Sequence, residues 1–326
     1  MDPAQFFAAP RVTIVAGKGG VGKTTVAATM AMAASLSGLR SLIVEVEGKS
    51  GLPSLFDHAE FPYHGLELVT ADPAAGRGAV SARRLTPDEA LAEYLADHGL
   101  QRISKRLNDS GAMDMVAAAT PGIKDVLILG KIKQLERLGV ADVIIVDAPA
   151  AGHAISFLRS ARGLIDAVKV GPIHTQATDV MELLTDGTRC QVLLVTLPEE
   201  TPVNELIETA FSLEDQVGVK LGPVVVNGLY DELPGLSVDP VAAARAAKVK
   251  LRPGEAERLR AAATFRSCRS SLQDQQLERL GRDLPLPRIR LPYLFSSEVG
   301  RAQLEGLARL FLEGVSGLAE IDGSAS

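Results

Sequence analysis

Short runs of apolar, mostly β-branched residues alternate along the chain with longer segments rich in alanine and leucine. Several of these runs are apolar throughout, which is typical of strands covered on both faces. Strands that alternate with helical segments predict a mostly parallel sheet between two layers of helices, an α/β fold of three-layer α/β/α type. The predicted strands are Arg11–Val15, Ser41–Val46, Leu66–Thr70, Val143–Val146, Gln191–Thr196, Val224–Val226 and Arg288–Leu291.

Helical segments separate the strands, and two stretches depart from the alternation. Residues 86–138 hold no predicted strand, so we interpret them as a helical insertion, and residues 241–284 as helices at the edge of the sheet. We expect a single domain over residues 1–321 and a disordered tail over residues 322–326. The predicted helices are Lys23–Ser37, Pro87–Asp97, Gly122–Leu138, Thr175–Leu184, Pro202–Glu214 and Arg301–Phe311.

Composition excludes several classes of protein. Hydrophobic residues make up 46% of the 326 residues, enough for a full core, so the bulk of the chain is not disordered. A net charge of −6, 4% aromatic residues and no tryptophan argue against nucleic acid as a partner. No apolar stretch approaches the ~20 residues of a spanning helix, so we expect no integral membrane segment. A cytoplasmic location is expected, with peripheral attachment to a membrane as an alternative.

Residues 11–25, RVTIVAGKGGVGKTT, contain a phosphate-binding motif between a predicted strand and a predicted helix. The match to G-x-x-x-x-G-K-[ST] covers Gly17, Lys18, Gly19, Gly20, Val21, Gly22, Lys23 and Thr24. Glycines let backbone N–H groups converge on phosphate oxygens, and the following helix points its positive end at the same anion. The motif predicts a site for the phosphates of a nucleotide, with Lys23 on the β- and γ-phosphates and Thr24 as a ligand of Mg²⁺.

Lys18 is an additional lysine next to the first glycine of the loop. It is either a solvated loop cation or a cation supplied to the nucleotide of a neighbouring molecule, in the manner of an arginine finger. The run Gly17–Thr25 resembles the deviant Walker A loop of the P-loop ATPases that include MinD, nitrogenase iron protein, the arsenite-pump ATPase and the tail-anchored-protein-targeting ATPase. In that group the first lysine reaches across a nucleotide-sandwich dimer. The resemblance implies a P-loop NTPase fold in which ATP binding, dimerisation and hydrolysis are coupled.

The carboxylate of Asp147 ends the apolar strand VIIVD and is predicted to organise Mg²⁺; the alternative is a cap of the following helix. The stretch Asp147-Ala-Pro-Ala-Ala-Gly152-His153 is similar to the switch II run D-T-A-P-T-G-H of the arsenite-pump and targeting families. The resemblance implies that Gly152 permits a rearrangement on sensing the γ-phosphate. His153 is either part of this switch or a surface histidine.

Glu47 follows the strand Ser41–Val46, where these families place a switch I aspartate that orients the attacking water. The resemblance implies the same role for Glu47, with a side chain longer by one methylene, and the alternative is an exposed turn acid. The string Thr70-Ala-Asp72-Pro73-Ala74 looks similar to the family's switch I, but it follows the next strand. Asp72 is therefore interpreted as a turn residue.

Asn227 and the loop Pro198-Glu199 each follow a predicted strand, at the sheet edge where ligands of α/β folds gather. The resemblance implies that Asn227 contacts adenine and that Pro198 and Glu199 cover the base. The alternative for Asn227-Gly228 is an ordinary hairpin turn.

A narrower resemblance, to actinobacterial arsenite-pump-type (ArsA-like) ATPases, rests on Glu45–Gly48 with Pro121-Gly122-Ile123 and Gly130-Lys131-Ile132-Lys133. Arsenite and zinc are disfavoured as ligands because Cys190 and Cys268 are isolated. The apolar residues of the insertion either form the core of a helical subdomain or offer a groove to a client protein or membrane helix. Its apolar residues include Met113, Met115, Val116, Ile123, Val126, Leu127 and Leu129.

Two functions follow from the motifs. The first is a Mg-dependent ATPase, working as a homo-dimer or as a hetero-dimer with a related ATPase, that couples hydrolysis to movement of the helical insertion, for membrane-protein targeting or for energising transport. In it Lys18, Lys23, Glu47 and Asp147 are catalytic. The second is a nucleotide-dependent scaffold module with vestigial hydrolysis. A small-molecule kinase is disfavoured because no acceptor-activating motif is recognised.

Overall fold

The computed structural model describes residues 1–46, 51–97, 122–149 and 151–318, and all structural statements refer to these parts of the chain. Eight strands form one sheet in the order β3-β4-β2-β5-β1-β6-β7-β8. Neighbouring strands are parallel except for β3 against β4. The strands are Val12–Ala16 (β1), Ser41–Val46 (β2), Leu66–Val69 (β3), Val80–Leu85 (β4), Val143–Asp147 (β5), Cys190–Thr196 (β6), Val224–Leu229 (β7) and Arg288–Pro292 (β8).

Helices cover both faces of the sheet, since successive strand residues such as Ile14 and Val15 belong to cores on opposite faces. On one face α2 packs against α10, while α4, α5 and α6 pack together on the other. The helices are Pro3–Ala8 (α1), Lys23–Leu36 (α2), Pro87–Asp97 (α3), Ile123–Leu138 (α4), Ala151–Ala167 (α5), Pro172–Thr185 (α6), Glu200–Gln216 (α7), Pro240–Ala246 (α8), Glu255–Asp283 (α9) and Arg301–Ser316 (α10). The predicted three-layer fold is confirmed.

All seven predicted strands and six predicted helices are present, with small shifts of their ends. Three elements were not predicted: the short helix α1, strand β4 and helix α5. Strand β4 contains the buried residue Arg83, whose guanidinium carbon lies 4.9 Å from the ring centroid of Tyr63. The sequence did not indicate this strand, because a charged residue interrupts its apolar pattern. Helix α5 begins at Ala151, within the run interpreted as a switch loop.

The predicted insertion is described at its two ends, by α3 and α4. Helix α4 lies on the sheet, and Ile123, Val126, Leu127 and Leu129 are buried in the core between α4 and the sheet, not in the core of a separate helical subdomain. Met113, Met115 and Val116 lie outside the described residues, as does the predicted tail. The limits of the domain stay a prediction.

The run Gly130–Lys133 of α4 ties three helices together. Lys131 Nζ lies 2.5 Å from Glu93 Oε1 on α3, and Lys133 Nζ lies 2.8 Å from Asp179 Oδ2 on α6. Gly130 leaves the space that the Gln176 amide occupies, because a Cβ there would stand 1.7 Å from its nitrogen. The run Gly130–Lys133, which is one part of the narrower resemblance, therefore determines how α3, α4 and α6 pack.

The two cysteines have opposite environments. Cys190, the first residue of β6, is fully buried, and this burial raises the pKa of its thiol to about 12. Cys268 is exposed on α9. None of the described helices combines the length and apolar character that crossing a bilayer requires.

Candidate functional site

The glycine-rich loop lies between β1 and α2 and is pressed against two neighbouring strands. A Cβ on Gly17 would stand 2.3 Å from the carbonyl oxygen of Val195 in β6. A Cβ on Gly22, whose φ is +90°, would stand 2.3 Å from the side-chain nitrogen of Asn227. Only glycine fits at both positions, so β6 and β7 determine where the loop can lie.

Asn227 holds this loop from β7. Its Nδ2 donates a hydrogen bond of 2.9 Å to the carbonyl oxygen of Val21. Strand β7 continues to Leu229 and pairs in parallel with β6 and β8, so the alternative of a hairpin turn at Asn227-Gly228 is wrong. The adenine contact stays a prediction, and the observed role of Asn227 is to position the loop.

Lys23 and Thr24 open α2 and face the end of β5. Lys23 Nζ donates to the carbonyl oxygen of Lys18 at 3.0 Å, and partial burial lowers the pKa of Lys23, an effect that the nearby Asp147 carboxylate opposes. The Thr24 hydroxyl donates to Asp147 Oδ2 at 2.8 Å. The two predicted magnesium ligands, far apart in sequence, are thus in direct contact beside the loop lysine.

The side chains of Thr24 and Asp147 are suitable ligands for Mg²⁺. This ion takes hard oxygen donors, commonly one or two from the protein, with the rest from phosphate and water. A hydroxyl and a carboxylate that converge beside the phosphate loop supply such a partial set. Within the described ranges no three His, Cys, Asp or Glu side chains group as a metal site, so Mg²⁺ bound there needs oxygens from the nucleotide and water.

Lys18 forms an ion pair that the sequence did not reveal. Its Nζ lies 2.5 Å from Glu205 Oε1 on α7, with 34% of the Lys18 side chain and 40% of the Glu205 side chain exposed. Lys18 is thus paired within its own chain, and its role towards a partner's nucleotide stays a prediction. Glu205 lies 187 residues away in sequence, and no motif marks it.

The predicted base loop follows β6. Pro198 is buried and Glu199 is exposed. Glu199 Oε1 accepts a 3.1 Å hydrogen bond from Arg269 on α9. Beside this pair, Tyr230 and Tyr293 pack edge to face, with ring centroids 5.4 Å apart. The loop is therefore linked to α9 and to the ends of β7 and β8, and its contact with a base stays a prediction.

The remaining residues singled out in the sequence have different outcomes. Glu47 lies outside the described residues. His153 is exposed on the first turn of α5, where Gly152 also lies. Asp72 caps a short 3₁₀ helix, Pro73–Ala75, through a bond from the Ala75 amide, so its interpretation as a turn residue is confirmed. Gly19 and Gly20 are exposed, and Thr25 is half-buried on the first turn of α2.

Comparison with known proteins finds a matching family. The family model described as anion-transporting ATPase matches residues 10–170, from the strand before the glycine-rich loop through α5. Residues 10–170 belong to the anion-transporting ATPase family. The matched residues include the glycine-rich loop, Thr24 and Asp147, whereas Asn227, Glu205 and the loop Pro198-Glu199 lie beyond them.

Individual relatives are similar to this chain over more residues than the family model matches. ATPase BagA of Mycobacterium tuberculosis is 37% identical over 224 residues, which cover 67% of this chain and 64% of that protein. A protein named putative arsenical pump-driving ATPase, from Halobacterium salinarum, is 26% identical over 242 residues, covering 68% of this chain and 36% of the relative. The chain thus spans less than two thirds of the length of these relatives. The match to a mycobacterial ATPase agrees with the actinobacterial resemblance.

Proposed function

We propose that this chain binds ATP with Mg²⁺ and hydrolyses it to ADP and phosphate. The observation that supports this most is the meeting of Thr24 with Asp147, 2.8 Å apart, beside Lys23 at the mouth of the glycine-rich loop. Phosphoryl transfer needs a cradle for the phosphates, a cation and a held metal, and these residues supply all three in one place. Family membership supports the same activity.

The residues have separable roles in this proposal. Backbone N–H groups of the loop and the N-terminus of α2 bind the phosphates, and Lys23 neutralises charge that develops on the transferred group. Mg²⁺, when bound by Thr24 and Asp147, would supply charge neutralisation and fix the phosphate oxygens. Glu47 is proposed to orient the attacking water. Lys23 is partly desolvated in the free protein, so a phosphate brings it a favourable partner.

We further propose a nucleotide-gated dimer in which Lys18 reaches the nucleotide of the partner chain. The partner is either a second copy or a related ATPase, and hydrolysis would move the helical region around α3 and α4 against a client protein or membrane helix. Cytoplasmic location with peripheral attachment to a membrane is part of the proposal. The unusual position of a second lysine on an otherwise complete loop supports the role in trans.

Purified variants test the proposal through phosphate release and nucleotide binding. We expect Lys23→Ala to abolish turnover, and Lys18→Ala to retain ATP binding while hydrolysis slows, because Lys18 acts only after the dimer forms. Lys220→Ala, an exposed lysine on the body, is the control and should behave as the unaltered chain. Undiminished turnover by Lys18→Ala would remove the role in trans but leave the ATPase proposal standing.

The second candidate is a binding or scaffold module with vestigial hydrolysis. The glutamate at position 47, in place of the aspartate of the resembled families, favours it. A single-turnover measurement with ATP bound to excess protein separates the two candidates. Zero turnover for the chain alone and with a related ATPase would support the module, whereas release of one phosphate per site supports the enzyme.

A further inference from the structure

Residues 239–272 form an arm that stands off the body of the protein. The arm consists of α8, the loop after it and the first part of α9. In the 29-residue helix α9 the buried positions are Gln273, Leu277 and Leu280, so the turns before Gln273 have no buried residue. From Glu255 to Phe265, before Arg266 and Arg269 contact Tyr230 and Glu199, the helix rises roughly 15 Å, at about 1.5 Å per residue. The tip of the arm is therefore well separated from the sheet.

Hydrogen bonds attach the arm at its root, and further polar contacts lie within it. At its root the Gln273 amide accepts a hydrogen bond from the Tyr230 N–H at 2.9 Å and donates to the Gly228 carbonyl at 3.1 Å. Along its length, Arg260 pairs with Asp239 at 2.7 Å and joins α9 to the start of α8. Near the tip, the Arg252 N–H donates to the Glu255 carboxylate at 2.6 Å. The arm thus presents its tip in a defined position.

Charge is segregated between the arm and the rest of the chain. Residues 239–272 carry eight lysines and arginines against three acids, a net charge of +5, whereas the whole chain carries −6 and the remainder therefore −11. The tip, residues 245–258, holds five of the cations, against two glutamates. These cations are Arg245, Lys248, Lys250, Arg252 and Arg258.

Apolar side chains alternate with these cations at the tip. The loop reads Lys248-Val249-Lys250-Leu251-Arg252, and Val249 is 60% exposed. Leu259 and Phe265, further along α9, are 46% and 69% exposed. A surface that exposes cations and aliphatic side chains together suits the boundary between lipid headgroups and acyl chains. In water alone, the exposure of these apolar side chains would not stabilise the protein.

We propose that the tip of the arm docks on an anionic lipid surface. The acidic body would be repelled from such a surface, but repulsion between exposed charges fades over about 8–10 Å at physiological salt, and the arm holds the tip beyond that distance. A protein partner is less suited, because a stable interface takes about 20–30 residues from each side and the convex tip offers far fewer. This docking gives a physical basis to the peripheral location proposed above, and it does not depend on ATP hydrolysis.

Co-sedimentation of the full chain with vesicles tests the proposal. We expect binding to vesicles of phosphatidylcholine mixed with phosphatidylserine, weakening as salt rises, and little binding to phosphatidylcholine alone. The triple variant Lys248→Glu, Lys250→Glu, Arg252→Glu should bind about a hundredfold more weakly, since each cation near an anionic surface contributes roughly a fivefold gain. Val249→Asp should also weaken binding, because it places an acid where the aliphatic side chain enters the interface.

A matched control reverses three cations on the body, with the variant Arg137→Glu, Lys169→Glu, Lys220→Glu. All three side chains are exposed, so the change in net charge is the same as in the tip variant. Retained vesicle binding by this control, together with loss in the tip variant, supports docking by the tip. Equal loss in both variants, equal binding to the two kinds of vesicle, or no vesicle binding at all would overturn it. ATP turnover without vesicles should be unchanged in the tip variant, which separates failure of docking from failure of the ATPase.

Discussion

At the scale of single residues, Lys18 has two competing partners. In the single chain its ammonium pairs with Glu205 on α7. In the proposed dimer the same ammonium reaches the partner's nucleotide, so the Glu205 pair must break first. Because both side chains are more than a third exposed, solvent screens the pair and its strength is small, about 0.2–1 kcal/mol. Glu205 therefore acts as a weak restraint on Lys18.

Glu205→Gln tests this restraint. We expect ATP turnover at limiting protein concentration to rise by up to about fivefold, because the cost of releasing Lys18 is removed. The control is Glu208→Gln on the exposed side of the same helix, which should leave turnover unchanged. A fall in turnover on Glu205→Gln would mean that the ion pair orients Lys18 for catalysis instead of restraining it.

The role of a residue could be predicted from the sequence only where the residue belongs to a recognised motif. The motif identified Lys23 and Thr24, and the apolar run before Asp147 indicated a strand that ends near them. The contact of Asn227 with Val21 could not be predicted from the sequence, because it depends on the order of β1, β6 and β7 in the sheet. In addition, Asn-Gly between apolar residues is typical of a hairpin. Glu205 carries no local signal at all.

At the scale of elements, α1 and α10 form an aromatic cluster against α2. Phe311 of α10 is fully buried, with its ring centroid 5.9 Å from that of Phe6 and 6.2 Å from that of Phe7. The cluster lies on the face of the sheet that α2 covers, in the same core as Val21 of the glycine-rich loop. Packing of α10 thus supports the helix that carries Lys23 and Thr24.

Phe311→Ala should lower the free energy of unfolding by about 3–5 kcal/mol, the usual cost of removing a buried phenyl ring and leaving a cavity. Urea unfolding followed by circular dichroism measures this. Phe211→Ala on α7 is the control, since that side chain is 55% exposed, and it should change stability by about 0.5 kcal/mol or less. Similar losses in the two variants would contradict the role of the cluster.

Elements were predictable where burial and pattern agree. Strands buried on both faces, such as β5 and β6, stand out as unbroken apolar runs, and their limits were nearly right. Strand β4 did not stand out, because Arg83 and Arg84 interrupt its apolar pattern, and only the fold reveals that the guanidinium group of Arg83 lies over the ring of Tyr63. Helix α5 was missed because its first residues match a switch motif.

At the scale of the whole molecule, a lysine that acts in trans means that each active site is formed by residues of two chains. A Lys18→Ala chain keeps its own phosphate site but donates nothing, whereas a Lys23→Ala chain can donate Lys18 but has no working site. In a mixed dimer the first chain would receive the lysine of the second. Complementation between two defective variants is therefore possible only if the dimer is real.

Mixing equal amounts of Lys18→Ala and Lys23→Ala proteins should restore about a quarter of the normal turnover, because about half of the dimers are mixed and each has one complete site. Phosphate release over a range of protein concentrations measures it. The double variant, which carries both substitutions, mixed with either single variant provides the baseline. Turnover of the mixture equal to the average of the separate proteins would exclude donation between chains.

The position of the one exposed thiol has a practical consequence. The Cys190 thiol is fully buried with a raised pKa, so it stays protonated and unreactive, whereas Cys268 faces water on α9. A maleimide fluorophore would therefore attach at a single place without any engineering of the sequence. Because that place lies on the helix joining the arm to the sheet, the dye's emission and tumbling would follow how the arm is oriented as nucleotide or vesicles are added.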